Sequence, residues 1–512
     1  MTAHNVPHTF RRLCLLSLLA TAAPSCSADR TQSDASVDAG VASDGGGGRT
    51  DLGLDGTDLS VAFDHGDGVD GGTVTDGGLH GADASGGHSD AGIQPAPGWI
   101  DGALHAFPTG VRVTASTFPD GRAALMFDTA ANSNELEVLA WSGAPGAPWT
   151  DLGVVNAGVA GALEPLNNYR DLHMRLVHVG ERELLAVFQQ DGAIYSNHYD
   201  GSAWSTPRVV EVALSTVTLS GDGGGHAILV YGVGDEVRAR FYDPGAHAFG
   251  SPLVVSATGG DLGLPLQFLS RAEVDSEGNA TVFFRTRHPG LGTYSIHGFR
   301  YTPSDGTFVS ELPVLSGLPD ADRLCSAGNA RGDLVFSFNE RFSAMGRLFD
   351  RVRHVYRDAV DGFGAISDTH AEGLIPHVRS CAISANGDAV VAVVNHYAAV
   401  PAAVPIRYTG GVATTDAALS APVPVGGSRP VASMAASGLG AISWFRTDAR
   451  AEVALQANTA GAYAMAPFLT VPSVIDTSLD LFFKASQRMD DGRFLQLYQT
   501  GNNALRFAVL YP

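Results

Sequence analysis

From about residue 98 onward the chain repeats one hydrophobic pattern. A turn containing glycine is followed by a nearly continuous run of small and branched apolar residues, and the run ends on a large one. Eight copies can be aligned: "PDGRAALMF" ending at Phe127, "VGERELLAVF" at Phe188, "GGGHAILVY" at Tyr231, "SEGNATVFF" at Phe284, "ARGDLVFSF" at Phe338, "ANGDAVVAV" at Val393, "ASGLGAISW" at Trp444 and "DDGRFLQLY" at Tyr498. In seven copies the terminal residue lies six positions after the glycine; in the second, Phe188 lies eight after Gly180. Intervals between the glycines run from 45 to 59 residues and are mostly 51 to 55.

Each copy sits in the same frame. A short strand-like piece precedes the glycine, as in "VRVTASTF" or "RSCAIS". After the apolar run comes a polar loop and a third piece such as "VRARFYD", in which Arg238 and Arg240 alternate with Val237, Ala239 and Phe241. A fourth piece carries an aromatic and a branched pair, as in "PWTDLGVV" and "AWSTPRVV". Apolar residues on both faces suit a strand sandwiched between neighbouring sheets, and alternation suits a half-buried one. Nothing in the pattern has a helical period.

Four short strands per unit of about fifty residues is the signature of a propeller blade. The expected fold is all-β: an eight-bladed β-propeller over 98–512, with a seven-bladed ring carrying one odd insertion as the competing count. Two β-sandwiches fit the even spacing poorly. The eighth unit ends one strand short of a blade, and "GWIDGALHAF" at the start of the repeat region places Trp99 where Trp149 and Trp204 stand in their copies. The N-terminal strand is therefore expected to complete the last blade, which removes the open edges of the ring.

Ahead of the repeats lie two other segments. Arg11 and Arg12 precede an apolar run, "LCLLSLLATAA", too short to span a bilayer as a helix. This is a secretory signal pattern over residues 1–26. The following "PSCSADR" resembles the lipobox of bacterial lipoproteins, although Ala23 stands where leucine is usual. The resemblance implies acylation at Cys26; cleavage by ordinary signal peptidase is the alternative. Residues 27–97 are rich in Asp, Gly, Ala, Ser and Thr, with 13 Asp, 2 Arg and no Glu or Lys, so −11 of the chain's net −21 lies there. Few large apolar residues are available to offset ordering entropy, so a disordered, self-repelling spacer is expected. The layout of signal, spacer and repeats resembles surface lipoproteins of GC-rich Gram-negative bacteria. It implies an exported protein held at the outer membrane or cell surface by its lipid alone, or else periplasmic or secreted. The repeat itself resembles a generic bacterial propeller repeat of secreted proteins, and carries no catalytic motif.

Candidate chemistry is sparse. The first strands open with arginine unusually often: Arg112, Arg170, Arg271, Arg323, Arg379 and Arg429 stand seven to ten residues before their turn glycines. In a propeller such residues would ring one mouth of the channel, where they could grip carboxylates or phosphates by bidentate contacts; local pairing with aspartates is the plainer alternative. Cys325 and Cys381 occupy near-equivalent places in adjacent units. In an exported protein they could form a disulfide or remain two buried thiols. No His/Cys cluster with ligand spacing accompanies them, so neither a metal nor another cofactor is expected. "GDGGGH" opens a strand and not a helix, which argues against a phosphate cradle. His198 and His396 look isolated and are expected to be ordinary surface histidines. The acidic balance argues against nucleic acid. What remains is a monomeric binding module for a glycan, with an anionic one favoured by the arginines, or for a protein ligand. The rival is a polysaccharide hydrolase or lyase, which needs converging carboxylates.

Overall fold

The computed structural model describes residues 98–511, apart from 107–112, 119, 129–133, 145–146, 164–173, 214, 258–269, 289–290, 319, 345–346, 370–375, 396–401, 420–429, 446–449, 460, 471–482 and 500–503. The signal and spacer segments, Cys26 included, lie outside the described residues. The described strands form eight antiparallel sheets, and no helix occurs among the described residues. In seven of these sheets strands that follow one another in sequence lie side by side from the innermost strand outward; in the eighth, Gly98–Ala106 supplies the outer strand beside Ala504–Tyr511.

The innermost strands are Val113–Thr117, Met174–His178, Val217–Gly221, Ser270–Val274, Asp320–Gly328, Pro376–Ile383, Val431–Met434 and Phe483–Arg488. Each packs on the next, and the eighth packs on the first. The sheets are therefore the blades of a closed eight-bladed propeller, numbered here in chain order. The seven-bladed count and the sandwich alternative fall away. In blades 3, 5 and 7 the fourth-strand place is shared by two short pieces that pair with the same third strand, as Ala248–Phe249 and Leu253–Ala257 pair with Glu236–Asp243.

The last blade is completed from the other end of the repeat region. Gly98–Ala106 pairs antiparallel with Ala504–Tyr511, in a register from Gly98 opposite Tyr511 to Ala106 opposite Ala504. Trp99 pairs with Leu510 near the end of that third strand, much as Trp204 bridges Tyr199 in blade 2. Its ring meets Phe494 edge-on at 6.2 Å, and its Nε1–H donates to the Pro467 carbonyl at 2.6 Å. One half-buried carboxylate fastens the joint: Asp101 accepts from Tyr498 Oη (2.7 Å) and from Arg506 Nη2 (2.5 Å).

The repeated glycine marks one recurring turn. In blade 1 the Phe118 N–H donates to the Arg122 carbonyl and the Gly121 N–H donates back to the Phe118 carbonyl, both at 2.9 Å. The seven glycines at the fourth position of this turn all have φ between 77° and 120°, a region open to glycine at little cost. Blade 2 departs from the alignment. Its turn runs from Val179 to Glu183, with Gly180 in second place and no positive φ. Counted from the first turn residue, Phe188 and Phe127 both lie nine positions on. The uneven spacing of the second copy is thus a displaced glycine on an unchanged frame.

The core is divided into layers between adjacent blades. In Leu184–Gln190 every residue is buried; Leu184, Ala186 and Phe188 pack toward blade 1, while Leu185 and Val187 pack toward blade 3. A strand clamped on both faces must be apolar on both, which is why the second strand reads as a continuous run. Its terminal aromatics Phe127, Phe188, Tyr231, Phe284, Trp444 and Tyr498 are fully buried, and each contributes about 2–3 kcal/mol through burial. In Glu236–Asp243, Val237 and Ala239 are buried, whereas Arg238 and Arg240 are half-exposed and pair with Glu236 and Glu211.

Candidate functional site

At the turn end of the central channel the innermost strands open into a funnel of about 480 Å³, lined by residues from all eight blades. Side-chain alternation on these strands decides what faces it. In blade 4, Ser270, Ala272 and Val274 are buried between blades, leaving Arg271 and Glu273 on the channel side. In blade 2, Met174, Leu176 and His178 are buried and Arg175 and Val177 take the channel side; in blade 3, Thr218 and Ser220 do.

The wall is held by polar side chains that bridge neighbouring blades. Thr218 Oγ1 meets Ser270 Oγ at 2.9 Å, joining blades 3 and 4. Asn329 Nδ2 donates to the Ser384 carbonyl at 2.9 Å, joining blades 5 and 6. Gln487 Nε2 donates to the Met434 carbonyl at 2.8 Å, and Thr117 Oγ1 donates to Gln487 Oε1 at 3.3 Å, tying blade 8 to blades 7 and 1. His178 Nδ1 lies 3.0 Å from Ser116 Oγ, and its ring meets Phe118 edge-on. Burial, with help from the Arg122 cation, pushes the His178 pKa down to about 3, so its imidazole is neutral at ordinary pH.

Glu273 is the carboxylate of the wall. It accepts from Ser326 Oγ at 2.5 Å, from Ser220 Oγ at 3.5 Å and from the Gly328 N–H. One side chain thereby touches blades 3 and 5 from blade 4. Burial raises its pKa, against the pull of these donors and of Arg271. A Cβ on Gly328 would lie 2.8 Å from the Glu273 Cβ, so only glycine lets the two strands come this close. Asp222, the other carboxylate among the lining residues, is held by its own turn: it accepts from the backbone of Gly224 and His226 and pairs with His226 Nδ1 at 3.0 Å. "GDGGGH" is this turn.

Blades 6, 7 and 8 differ. Ser384, Ser433 and Ser486 line the funnel from three consecutive blades, and the hydroxyl of each is buried without a hydrogen-bond partner. Buried polar groups are rarely left so without a ligand or ordered water to meet them. With Ser116, Thr117, Ser326, Asn329 and Gln487, they give the funnel a surface of neutral donors and acceptors around small apolar residues.

Of the six arginines singled out in the sequence, Arg271 and Arg323 are described with their side chains, and neither lines this funnel. Arg271 faces the channel two residues deeper than Glu273 and donates to the Ser270 carbonyl at 2.7 Å; burial lowers its pKa. Arg323 and Arg379 fall at register shifts in the innermost strands of blades 5 and 6, where the pairing skips from Asp322 to Cys325 and from Val378 to Ser380. Arg323 has φ 57°; the Arg379 side chain lies outside the described residues. So do Arg112, Arg170 and Arg429. Spacing to the glycine missed Arg175, which holds in blade 2 the place of Arg271 in blade 4 and likewise donates to the preceding carbonyl, at 2.9 Å. The signal was present as a lone charge on an alternating apolar strand. Cys325 and Cys381 are joined in a disulfide between blades 5 and 6, with Cα atoms 5.6 Å apart, a separation that falls within the range a disulfide spans.

His198 is a correction. It is buried, not on the surface, and it is not isolated: its Nε2 meets Glu183 Oε2 at 3.2 Å and its ring stacks on His247. Lone histidines in sequence can meet only through the fold, and here the meeting is between blades 2 and 3.

No protein-family profile matches the chain, and no curated protein does. Solved structures do. The chain is similar to the Aleuria aurantia lectin in complex with Fucα1-6GlcNAc, at 12% identity and TM-score 0.35 over 62% of this chain and 97% of that one. It is similar to a protein of unknown function from Dyadobacter fermentans, at 12% identity and TM-score 0.36 over 73% and 99% of the two chains. It is also similar to the Dos1 propeller, at 9% identity and TM-score 0.47 over 80% and 94%.

Proposed function

We propose that the chain is an exported, lipid-anchored binding module whose channel funnel takes a hydroxyl-rich ligand, a glycan first among them, at the cell surface. The observation that carries this reading is the row of unpartnered hydroxyls on Ser384, Ser433 and Ser486 beside a polar, mostly uncharged wall. A sugar offers several donors and acceptors on one rigid ring, and a small turn of each serine χ1 would meet them. The volume, about 480 Å³, is that of a small-ligand site. Arg175 and Arg271, deeper in the channel, favour a sugar that carries a carboxylate. A glycosidase needs a free acid and base; Glu273 is tied to three donors and Asp222 to its turn, which supports binding over hydrolysis.

The test is a glycan array probed with the purified chain and with Ala385→Trp, which places an indole at the exposed rim of the funnel. The native chain is expected to retain a defined set of glycans, and the variant to lose them with its melting temperature unchanged. Retention by both, or by neither, overturns the funnel reading. The anchor is supported by the signal pattern and Cys26. Cys26→Ser is expected to abolish labelling by radioactive palmitate and to release the protein from membranes.

A further inference from the structure

We propose that Glu183, His198 and His247 form a binding site for one divalent transition-metal ion, with zinc the natural fit, between blades 2 and 3. Their ligand atoms, two imidazole nitrogens and a carboxylate oxygen, all lie within 4.8 Å of one another. Zinc takes such donors at about 2.0–2.2 Å, and two histidines with one glutamate is a set it uses, leaving a fourth position for water. Closing the three atoms onto one ion needs movements of an ångström or so. Two of the three side chains can supply them, since Glu183 is half-buried and His247 is exposed, while His198 is fixed in the interior.

The surroundings prepare the site in three ways. The His198 and His247 rings stack with centroids 4.2 Å apart and planes 16° from parallel, which puts two nitrogen-bearing edges side by side. Tyr242 Oη lies 3.3 Å from His247 Nδ1. With the proton on that nitrogen, the other keeps its lone pair, the usual task of a hydrogen-bond partner behind a metal ligand. Finally, Asp200 and Asp243 add negative charge near His198 and Tyr242, and Arg208 adds a positive one beside Tyr242.

His247 also sits at φ 49°, in the left-handed region that few non-glycine residues enter. The turn that adopts it belongs to blade 3, while the other two ligands belong to blade 2. A metal here would clamp two blades together.

The probe is Zn²⁺ alone, titrated into the full-length protein in competition with a chromophoric chelator. The variants are His247→Asn and Glu183→Gln; asparagine tolerates the left-handed backbone, and both positions are accessible enough to spare the fold. One equivalent of zinc is expected to bind and to raise the melting temperature. Each variant is expected to weaken binding by about tenfold or more and to lose the thermal shift, and Tyr242→Phe to weaken it by about 10–100-fold. The chain has 17 histidines. Zinc bound equally well by native protein and both variants would therefore belong elsewhere, and would overturn the assignment, as would no binding at all.

Discussion

Closure of the ring rests on a strand from the opposite end of the repeat region, and Asp101 is its polar fastening. Replacing Asp101 by alanine removes the acceptor of Tyr498 Oη at 2.7 Å and of Arg506 Nη2 at 2.5 Å, with both ion-pair partners about a fifth exposed. Two unit charges at about 3 Å in an effective dielectric near 20 attract by roughly 5 kcal/mol, most of it offset by desolvation. The net value of a hydrogen bond to a charged group is about 1.5–3 kcal/mol. With one such bond to Arg506 and a weaker one to the tyrosine, Asp101→Ala should cost about 3 kcal/mol. Asp101→Asn keeps an acceptor and should cost about half as much. The assay is urea unfolding of the native protein, Asp101→Ala, Arg506→Met and the double variant. The cycle should show a coupling of about 1–2 kcal/mol between positions whose sequence separation spans nearly the whole propeller. A single-variant cost below about 0.5 kcal/mol, or a coupling indistinguishable from zero, would refute the closure.

Acid should weaken the fold through its buried histidines. Burial lowers His178 to about 3 and His354 to about 4, so the native state binds fewer protons than the unfolded one, whose histidines titrate near 6.5. Stability is full above that value and falls as pH drops through about 6 toward 4; each histidine should cost about 2 kcal/mol between pH 7 and pH 5, read as a lowered urea midpoint, and an unchanged midpoint speaks against both burials. The Cys325–Cys381 bond spans 56 residues, and loop closure of that length is worth about 4 kcal/mol in the chain-entropy account; Cys325→Ser with Cys381→Ser should lower the guanidinium midpoint, and a reductant should have no effect on the double variant. Gly387→Ala should cost about 2–3 kcal/mol, because its φ is 90° and a Cβ would lie 2.6 Å from Tyr356 Oη and 2.9 Å from an Asp333 oxygen; a circular-dichroism melt equal to the native one would contradict that crowding.

Architecture was legible in the sequence because a propeller imposes the same demand on every blade. The second strand is pressed on both faces, so "ANGDAVVAVV" and "GGGHAILVY" must be apolar throughout. In seven blades the fourth place of the turn takes a positive φ, so glycine recurs there. Even the closing strand could be read, since one unit lacked a piece that "GWIDGAL" supplied. In blade 2 the spacing departs from the repeat because the glycine stands at another place in its turn, while the distance from turn to strand end is kept. The candidate site was much less legible. An arginine's distance to the glycine does not fix which way it faces, because register shifts at Asp322/Cys325 and Val378/Ser380 interrupt the alternation.

The blade repeat, the strand that closes the ring and the strands clamped between neighbours are legible in the sequence, whereas the choice of eight blades over seven came from the sheets themselves. The legible features follow from local periodicity and from the need to hide apolar faces, and both are written along the chain. The tertiary structure alone decided which side chains share a space. Ser384, Ser433 and Ser486 are ordinary serines until three consecutive blades set them around one funnel. Glu183, His198 and His247 have no ligand spacing because their proximity arises between blades, where sequence distance carries no information about distance in space.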